Sequence, residues 1–433
     1  MRHALFKHWP FLLLLATLTA YHLWGLALIP FHPDESTYLY MSSDFDWLWS
    51  EPLSLTFNPH RLEDPRQIYR LLDAPLTRYL LGVGRTLAGL SAVPVDWDWA
   101  KSWQANSMIG ALPGQPLLNT GRLLLTLLLP FSLTFIYLAA CSAGGRLEGF
   151  LAALLLGTHA LVLLHARRAM AEGPLLFAIT GFLASLSFAE RRPWLVGLAA
   201  ALAFNAKHSA LALLPVGLIA VAWLPTSIPP KWARIVFNVV QFLTIYIGLT
   251  LALNPLFWRE PWLTAQAMIQ TRQDLLNHQV ADARQYFPEQ VLESPWERGV
   301  MLLGHLYLAP PMFAEVGNYR AETAPAEKAY LAVPGHSLGR NPIGASLWLG
   351  LSFLGMVWAG REAFRAGYPL RRQVALLLLA TAFQATGMVL AIPLAWQRYS
   401  LPLVPFVCVW TGIGAGRLIR MLRSFNLRSL KRS

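Results

Sequence analysis

FLLLLATLTAYHLWGLALIPFHPDESTYLY (residues 11–40) runs apolar for about twenty residues and then sets Asp34 beside Glu35. Roughly 20 apolar residues are what a helix needs to cross the hydrocarbon of a bilayer, so the two carboxylates fall where the chain meets water. No small-residue cleavage site precedes the acidic pair, and the segment reads as a retained helix rather than a signal peptide.

The rest of the chain repeats this pattern. Of 433 residues, 55% are hydrophobic and 13% are charged, about half the charged share of a soluble domain. Ten apolar runs are expected to span, at about 11–30, 118–140, 150–166, 174–189, 193–206, 208–224, 235–253, 344–360, 373–393 and 399–416. The expected fold is an all-α polytopic membrane protein, one membrane domain over 1–433. Val300–Phe313 is a shorter apolar run broken by Pro310 and Pro311, and it reads as re-entrant or as a surface helix.

The formal charge of +12 sorts by side. With the N-terminus inside, the inner segments hold Arg2, Lys7, Arg146, Arg191, Arg192, Lys231, Arg234, Arg361, Arg365, Arg371, Arg372, Arg417, Arg420, Arg423, Arg428, Lys431 and Arg432, against Glu148, Glu190 and Glu362. Positive residues stay on the cytoplasmic side, so both termini, including the basic tail 417–433, are expected to be cytoplasmic. The charge therefore belongs to topology, and no nucleic-acid partner is implied. Cys141 and Cys408 lie in or beside apolar runs with no disulfide or metal spacing.

Two long outer regions follow, 31–117 and 254–343. DAPLTRYLLGVGRTLAGL (73–90) and REPWLTAQAMIQTRQDLLNHQ (259–279) have the periodicity of helices lying along a membrane surface, so both regions are expected to be structured. The outer helix ends share a composition. Asp34-Glu35 follows the first crossing, ARRAMAEGP (166–174) the third, NAKHS (205–209) the fifth, NPLFWREP (254–261) the seventh and WQRY (396–399) the ninth. Charges at membrane depth cost about 2.5–3.5 kcal/mol each on insertion scales, so several at one depth suggest a shared polar cavity.

Such a cavity suits transfer of a sugar from a lipid phosphate. The departing phosphate needs neutralising cations, and the attacking hydroxyl needs a carboxylate to orient it and take its proton. Local readings compete. Asp34 and Glu35 after Pro33 also make an ordinary helix start, Glu172 opens a helix in the same way, and Arg167 and Arg168 fit interfacial snorkelling. Trp97, Trp99 and Trp103 suit an interfacial aromatic belt as well as a sugar platform.

The acidic pair in HPDESTY, RRAMAEGPLLF opening the fourth span, the lysine of FNAKHSALALLP, NPLFWREP and the final RYSLPLVP together resemble the GT-C superfamily of polyprenyl-phosphate-dependent membrane glycosyltransferases. The likeness is strongest to protein O-mannosyltransferases and to the aminoarabinose transferases of lipid A. It covers residues 10–260 and then the RYSLPLVP segment. It implies Asp34 as catalytic base, Glu35 as its positional partner and Glu172 as a second acid, with Lys207, Arg167 and Arg398 around the donor phosphate and Tyr399 as a hydrogen-bond donor. A divalent metal held by Asp34 and Glu172 is a possible cofactor, since the superfamily has metal-using and metal-free members. Many members carry a large C-terminal soluble domain where this sequence has a basic tail, which makes oligosaccharyl transfer less expected.

The function expected is an inverting transfer of a monosaccharide from a polyprenyl phosphate to a hydroxyl, on the outer face of a bacterial or archaeal plasma membrane. The alternative is a transporter or flippase that moves a lipid-linked sugar without chemistry. Charges gathered on one side, and no visible half-repeat, favour the enzyme.

Overall fold

The computed structural model describes residues 2–223, 231–314, 317, 319–365 and 370–429, and the side chains of these outside 2–7, 231 and 425–429. Pro229 and Pro230 of the inner PPKWAR segment and the basic residues Lys431 and Arg432 lie outside this set, as do the side chains of Arg2, Lys7, Lys231 and Arg428. The described residues are helical throughout their regular structure.

A helix occupies each of the ten apolar runs. Among the described residues six stretches are long and apolar enough to cross a membrane: His8–Leu28, Gln115–Ala143, Trp232–Leu253, Pro342–Arg365, Leu370–Ala391 and Gln397–Ser424. Glu172–Phe188, Pro193–Ala206 and His208–Ala222 are shorter. The third run is divided at His159 into Arg146–Thr158 and Ala160–His165. Prolines explain part of the segmentation, because Pro130 and Pro215 sit in the first turns of new helices, where a missing N–H costs nothing.

The bundle closes through small residues. Pro342–Arg365 crosses Val404–Ser429 where a Cβ on Gly355 would strike the Trp410 carbonyl and one on Gly414 the Leu351 carbonyl. With no hydrophobic force between helices in lipid, such close backbone approach is what brings them together.

Ion pairs lie in two layers. Glu148 pairs with Arg420, Glu362 with Arg417, and Glu190 with Arg372 at 4.0 Å, so the three acids of the inner set all meet inner bases. Asp34 pairs with Arg398, Glu35 with Arg122 and Glu172 with Lys207 at the opposite ends of the helices.

The two long connections cover this second end. The first contains helices Pro33–Met41, Asp44–Ser50, Pro65–Leu72, Leu76–Leu87 and Trp103–Met108. It is locked internally by Asp44, which pairs with Arg70 at 2.8 Å and with Arg78 at 3.2 Å. The second contains Pro261–Tyr286, Pro295–Leu303 and Arg320–Leu331. The two pack on each other through Phe57, Leu71 and Leu256. Val300–Phe313 continues Pro295–Leu303 through a wider turn at Gly304–Leu308 and then runs extended. These fourteen helical residues reach only about 21 Å, and Tyr307 anchors them to Ser352 at 2.9 Å. Cys141 and Cys408 are free thiols.

Candidate active site

The local chemistry of HPDESTY separates its two acids. Pro33 is the first helical residue and His32 the cap, its Nδ1 accepting from the Asp34 N–H at 3.1 Å while Glu35 Oε2 accepts from the His32 N–H at 3.1 Å. This reciprocal box turns the Glu35 side chain inward. There it is fully buried and receives both forks of Arg122 at 2.7 Å, together with the Ala169 N–H at 2.9 Å. Burial opposes the charge of Glu35, but Arg122, Arg168 and the Ala169 amide hold its carboxyl below the usual carboxylate range. Glu35 thus joins the acidic helix to Gln115–Thr126 and to the ARRAMAEGP turn, and it does not line the cavity.

Asp34 points the other way, with 24% of its side chain exposed, into a cavity of about 870 Å³. Arg398 meets it there. Glu172 enters the same space from the start of its helix and accepts from Lys207 Nζ at 2.8 Å. Lys207 also stands 5.7 Å from the Tyr399 ring centre, and Arg398 lies over Trp396 and Tyr399 at 5.4 and 5.8 Å. Asp34, Glu172, Lys207, Arg398 and Tyr399 therefore share one wall system. They come from four places in the sequence, and the paired Asp34 and Arg398 are 364 residues apart.

Arg167 is not part of that lining. Its buried guanidinium turns back toward the first helix, lying over Tyr21 at 5.6 Å and filling the place a Cβ on Gly25 would take. Glycine is required at position 25 for that approach. Arg168, its neighbour, donates to the Phe313 carbonyl at 3.0 Å.

Sequence reasoning missed several lining residues. Tyr38 lies one helical turn beyond Asp34, a spacing that places both on one face, and its hydroxyl donates to Asp73 Oδ1 at 3.3 Å. Arg272, Leu275, Gln279, Asp282 and Tyr286 form a stripe along Pro261–Tyr286 that faces the cavity, a pattern legible in the spacing alone. Asp73, at the end of Pro65–Leu72, gave no such signal. Its half-buried carboxyl is raised above the ordinary value, first by burial and then by the charge of Asp34, against the pull of Arg272, Arg78 and Lys207. Nearby, Asp96 accepts from Thr37 at 2.8 Å and from Tyr69 at 2.5 Å. Trp99 faces the cavity at 41% exposed, whereas Trp97 is buried against Trp103.

The donor set of the described residues does not fit a divalent ion. Among the described residues no three of His, Cys, Asp and Glu converge, and Asp34 and Glu172 each already face a cation. What the arrangement can do is different. It offers cations for an anionic group, carboxylates and hydroxyls within the same volume, and aromatic faces for a polyhydroxylated ring.

No protein-family model matches the sequence, and no curated protein matches it. Solved structures do. ArnT from Cupriavidus metallidurans, bound to undecaprenyl phosphate, superposes with a TM-score of 0.52 at 15% identity, over 94% of this chain and 60% of that one. The Archaeoglobus fulgidus oligosaccharyltransferase, tethered with an acceptor peptide, superposes with a TM-score of 0.51 at 10% identity, over 98% of this chain and 51% of that one.

The chain has the GT-C fold.

It spans about half the length of the oligosaccharyltransferase. The six helices among the described residues that are long and apolar enough to cross a membrane make it an integral membrane protein.

Proposed function

We propose that this GT-C protein is an inverting glycosyltransferase that moves a monosaccharide from a polyprenyl phosphate to a hydroxyl acceptor. The observation that carries the proposal is the cavity in which Asp34 and Glu172 meet Arg398 and Lys207. The bound ligands of its structural neighbours support it, since one holds undecaprenyl phosphate and another an acceptor peptide. At about 870 Å³ the space falls within the ordinary range for a small-ligand site.

In the proposed reaction the acceptor oxygen attacks the anomeric carbon as the bond to the phosphate oxygen breaks. The electron pair leaves on the phosphate, where Lys207 and Arg398 neutralise it and Tyr399 borders it. Asp34 takes the hydroxyl proton. Glu172 holds Lys207 in place, and Trp99 offers a face for a sugar ring. A single displacement inverts the configuration. No step is assigned to a metal.

The charge bias of the helix ends supports an active site on the outer face, with cytoplasmic termini, in a bacterial or archaeal plasma membrane. The test is a panel of polyprenyl-phosphate monosaccharides offered with hydroxyl acceptors, followed by NMR of the product's anomeric configuration. Inversion supports the reading, and retention removes the single displacement. Binding of a donor that is never consumed replaces the enzyme with a carrier of lipid-linked sugars.

A further inference from the structure

The cations that a donor phosphate needs are already engaged. Arg398 is held by Asp34, and Lys207 by Glu172. Of the three cations lining the cavity, only Arg272 has no ion pair among the described residues. Four carboxylates, Asp34, Asp73, Glu172 and Asp282, line the same space, so among the described residues the acids outnumber Lys207, Arg272 and Arg398 by one. An anionic lipid headgroup entering this cavity meets no surplus of positive charge among the described residues. It binds by taking a cation from a carboxylate.

The same pairing bears on the base. The Asp34 oxygen that accepts from Arg398 is Oδ2, and while that contact lasts Oδ2 is badly placed to orient a hydroxyl and accept its proton. Asp34 Oδ2 cannot serve both Arg398 and an acceptor at once. The phosphate resolves the conflict, because Arg presents a planar fork that suits phosphate oxygens as well as carboxylate.

We infer that the donor phosphate enters at Arg272 and replaces Asp34 on Arg398, so that donor binding itself frees the carboxylate that activates the acceptor. This rests on the glycosyltransferase reading and adds a regulation to it. The exchange conserves charge pairs: the Arg398–Asp34 pair breaks, an Arg398–phosphate pair forms, and Asp34 is left facing the space beside the anomeric carbon. Binding is then ordered, donor before acceptor, and the ligand-free enzyme holds its base inactive. Arg272 gains a role no sequence motif assigns, as the first contact of the phosphate. It sits on Pro261–Tyr286, a 26-residue helix of which only Thr264 and Ala283 are buried, so the phosphate draws on the least embedded wall of the cavity.

The exchange makes a prediction opposite in sign to ordinary loss of a site residue: removing Asp34 tightens phosphate binding. The experiment is equilibrium binding of sugar-free polyprenyl phosphate to the full-length protein in detergent, for wild type, Asp34→Asn, Asp73→Asn and Arg272→Gln. Asp34→Asn is expected to bind up to about fivefold more tightly, a change of the size expected for releasing one partly exposed ion pair. Asp73→Asn removes an equal charge that forms no ion pair with Arg398 or Lys207, and it is expected to change affinity less than threefold. Arg272→Gln is expected to weaken binding several-fold with or without Asp34. Equal tightening in Asp34→Asn and Asp73→Asn would reduce the effect to general charge and overturn the exchange. Unchanged or weaker binding in Asp34→Asn also overturns it, and Asp34→Ser repeats the test should the asparagine variant fold poorly. If wild type does not bind polyprenyl phosphate at all, the donor-site reading itself fails and takes the exchange with it.

Discussion

Asp34 and Glu35 are consecutive in the chain and face opposite ways: Glu35 is sealed against Arg122 in the protein interior, and Asp34 meets Arg398 in the cavity. The cap formed with His32 causes the division. One acid is consumed in holding the helix in place, which leaves its neighbour at a fixed position for chemistry.

Stability and activity should therefore separate at this pair. Glu35→Gln leaves Arg122 buried at 4% side-chain exposure without its counter-charge, and breaking a buried pair costs about 3–5 kcal/mol. Asp34→Asn, at a partly exposed pair, is expected to cost under about 1 kcal/mol. Thermal unfolding in detergent should show a large loss for the first and little change for the second, with turnover following the reverse order.

The two perturbed carboxyls of the first long connection give opposite pH dependences. Glu35 is held below its ordinary value of 4.5, so its contribution to stability is present above that pH and disappears as the pH falls through the lower folded value. Asp73 is raised above 3.8, so its contribution is full below 3.8 and is lost as the pH rises through the raised value. At pH 7 Asp73 is therefore a charge the fold would be more stable without. Asp73→Asn should raise the melting temperature at pH 7 by about 1–2 °C, with the gain vanishing near pH 3.5, whereas Glu35→Gln should be flat where wild type loses stability on acidification. Melting curves across pH 3.5–8 test both signs.

The phosphate-binding role distinguishes Arg398 from Lys207. Arg398→Lys keeps the charge but loses the planar fork that suits phosphate, and it is expected to weaken lipid-phosphate binding about tenfold. Lys207→Arg is expected to retain most of it, because a lysine acts as a point charge. Binding of radiolabelled polyprenyl phosphate to each purified variant decides this, and equal losses in both would remove the distinction.

Close packing at the last helices gives a control on the fold. Gly355→Leu places a side chain against the Trp410 carbonyl, while Gly350→Leu, five residues earlier in the same helix, meets nothing within 4 Å. The first is expected to lose folded yield and several degrees of melting temperature, and the second to behave as wild type in size-exclusion chromatography and melting.

Much of this architecture was legible in the sequence because two signals are additive along the chain. Apolar runs located helices in all ten expected places, and Glu148, Glu190 and Glu362, sorted with the inner bases by charge alone, pair with Arg420, Arg372 and Arg417 of that same set. The short helices at 172–188, 193–206 and 208–222 blur the count of crossings, because length alone does not say how a buried helix sits in lipid. At the site, residues beside a helix end were legible and residues brought in by the long connections were not. Lys207 and Arg398 follow from position, while Asp73 depends on how Pro65–Leu72 folds back over Pro33–Met41. Glu35 and Arg167 look like cavity residues in one dimension. A cap and a missing side chain at Gly25 turn them away in three.

The central claim is that Asp34 performs chemistry on a sugar delivered by a lipid phosphate, and its most direct test is donor consumption by purified wild type and Asp34→Asn in matched lipid. The account predicts that wild type consumes one labelled polyprenyl-phosphate sugar in the presence of its acceptor, and that the variant binds the same donor while its turnover falls by about 10²–10⁴-fold, the range for losing a positioned acid–base group. Turnover by Asp34→Asn at the wild-type rate would contradict it.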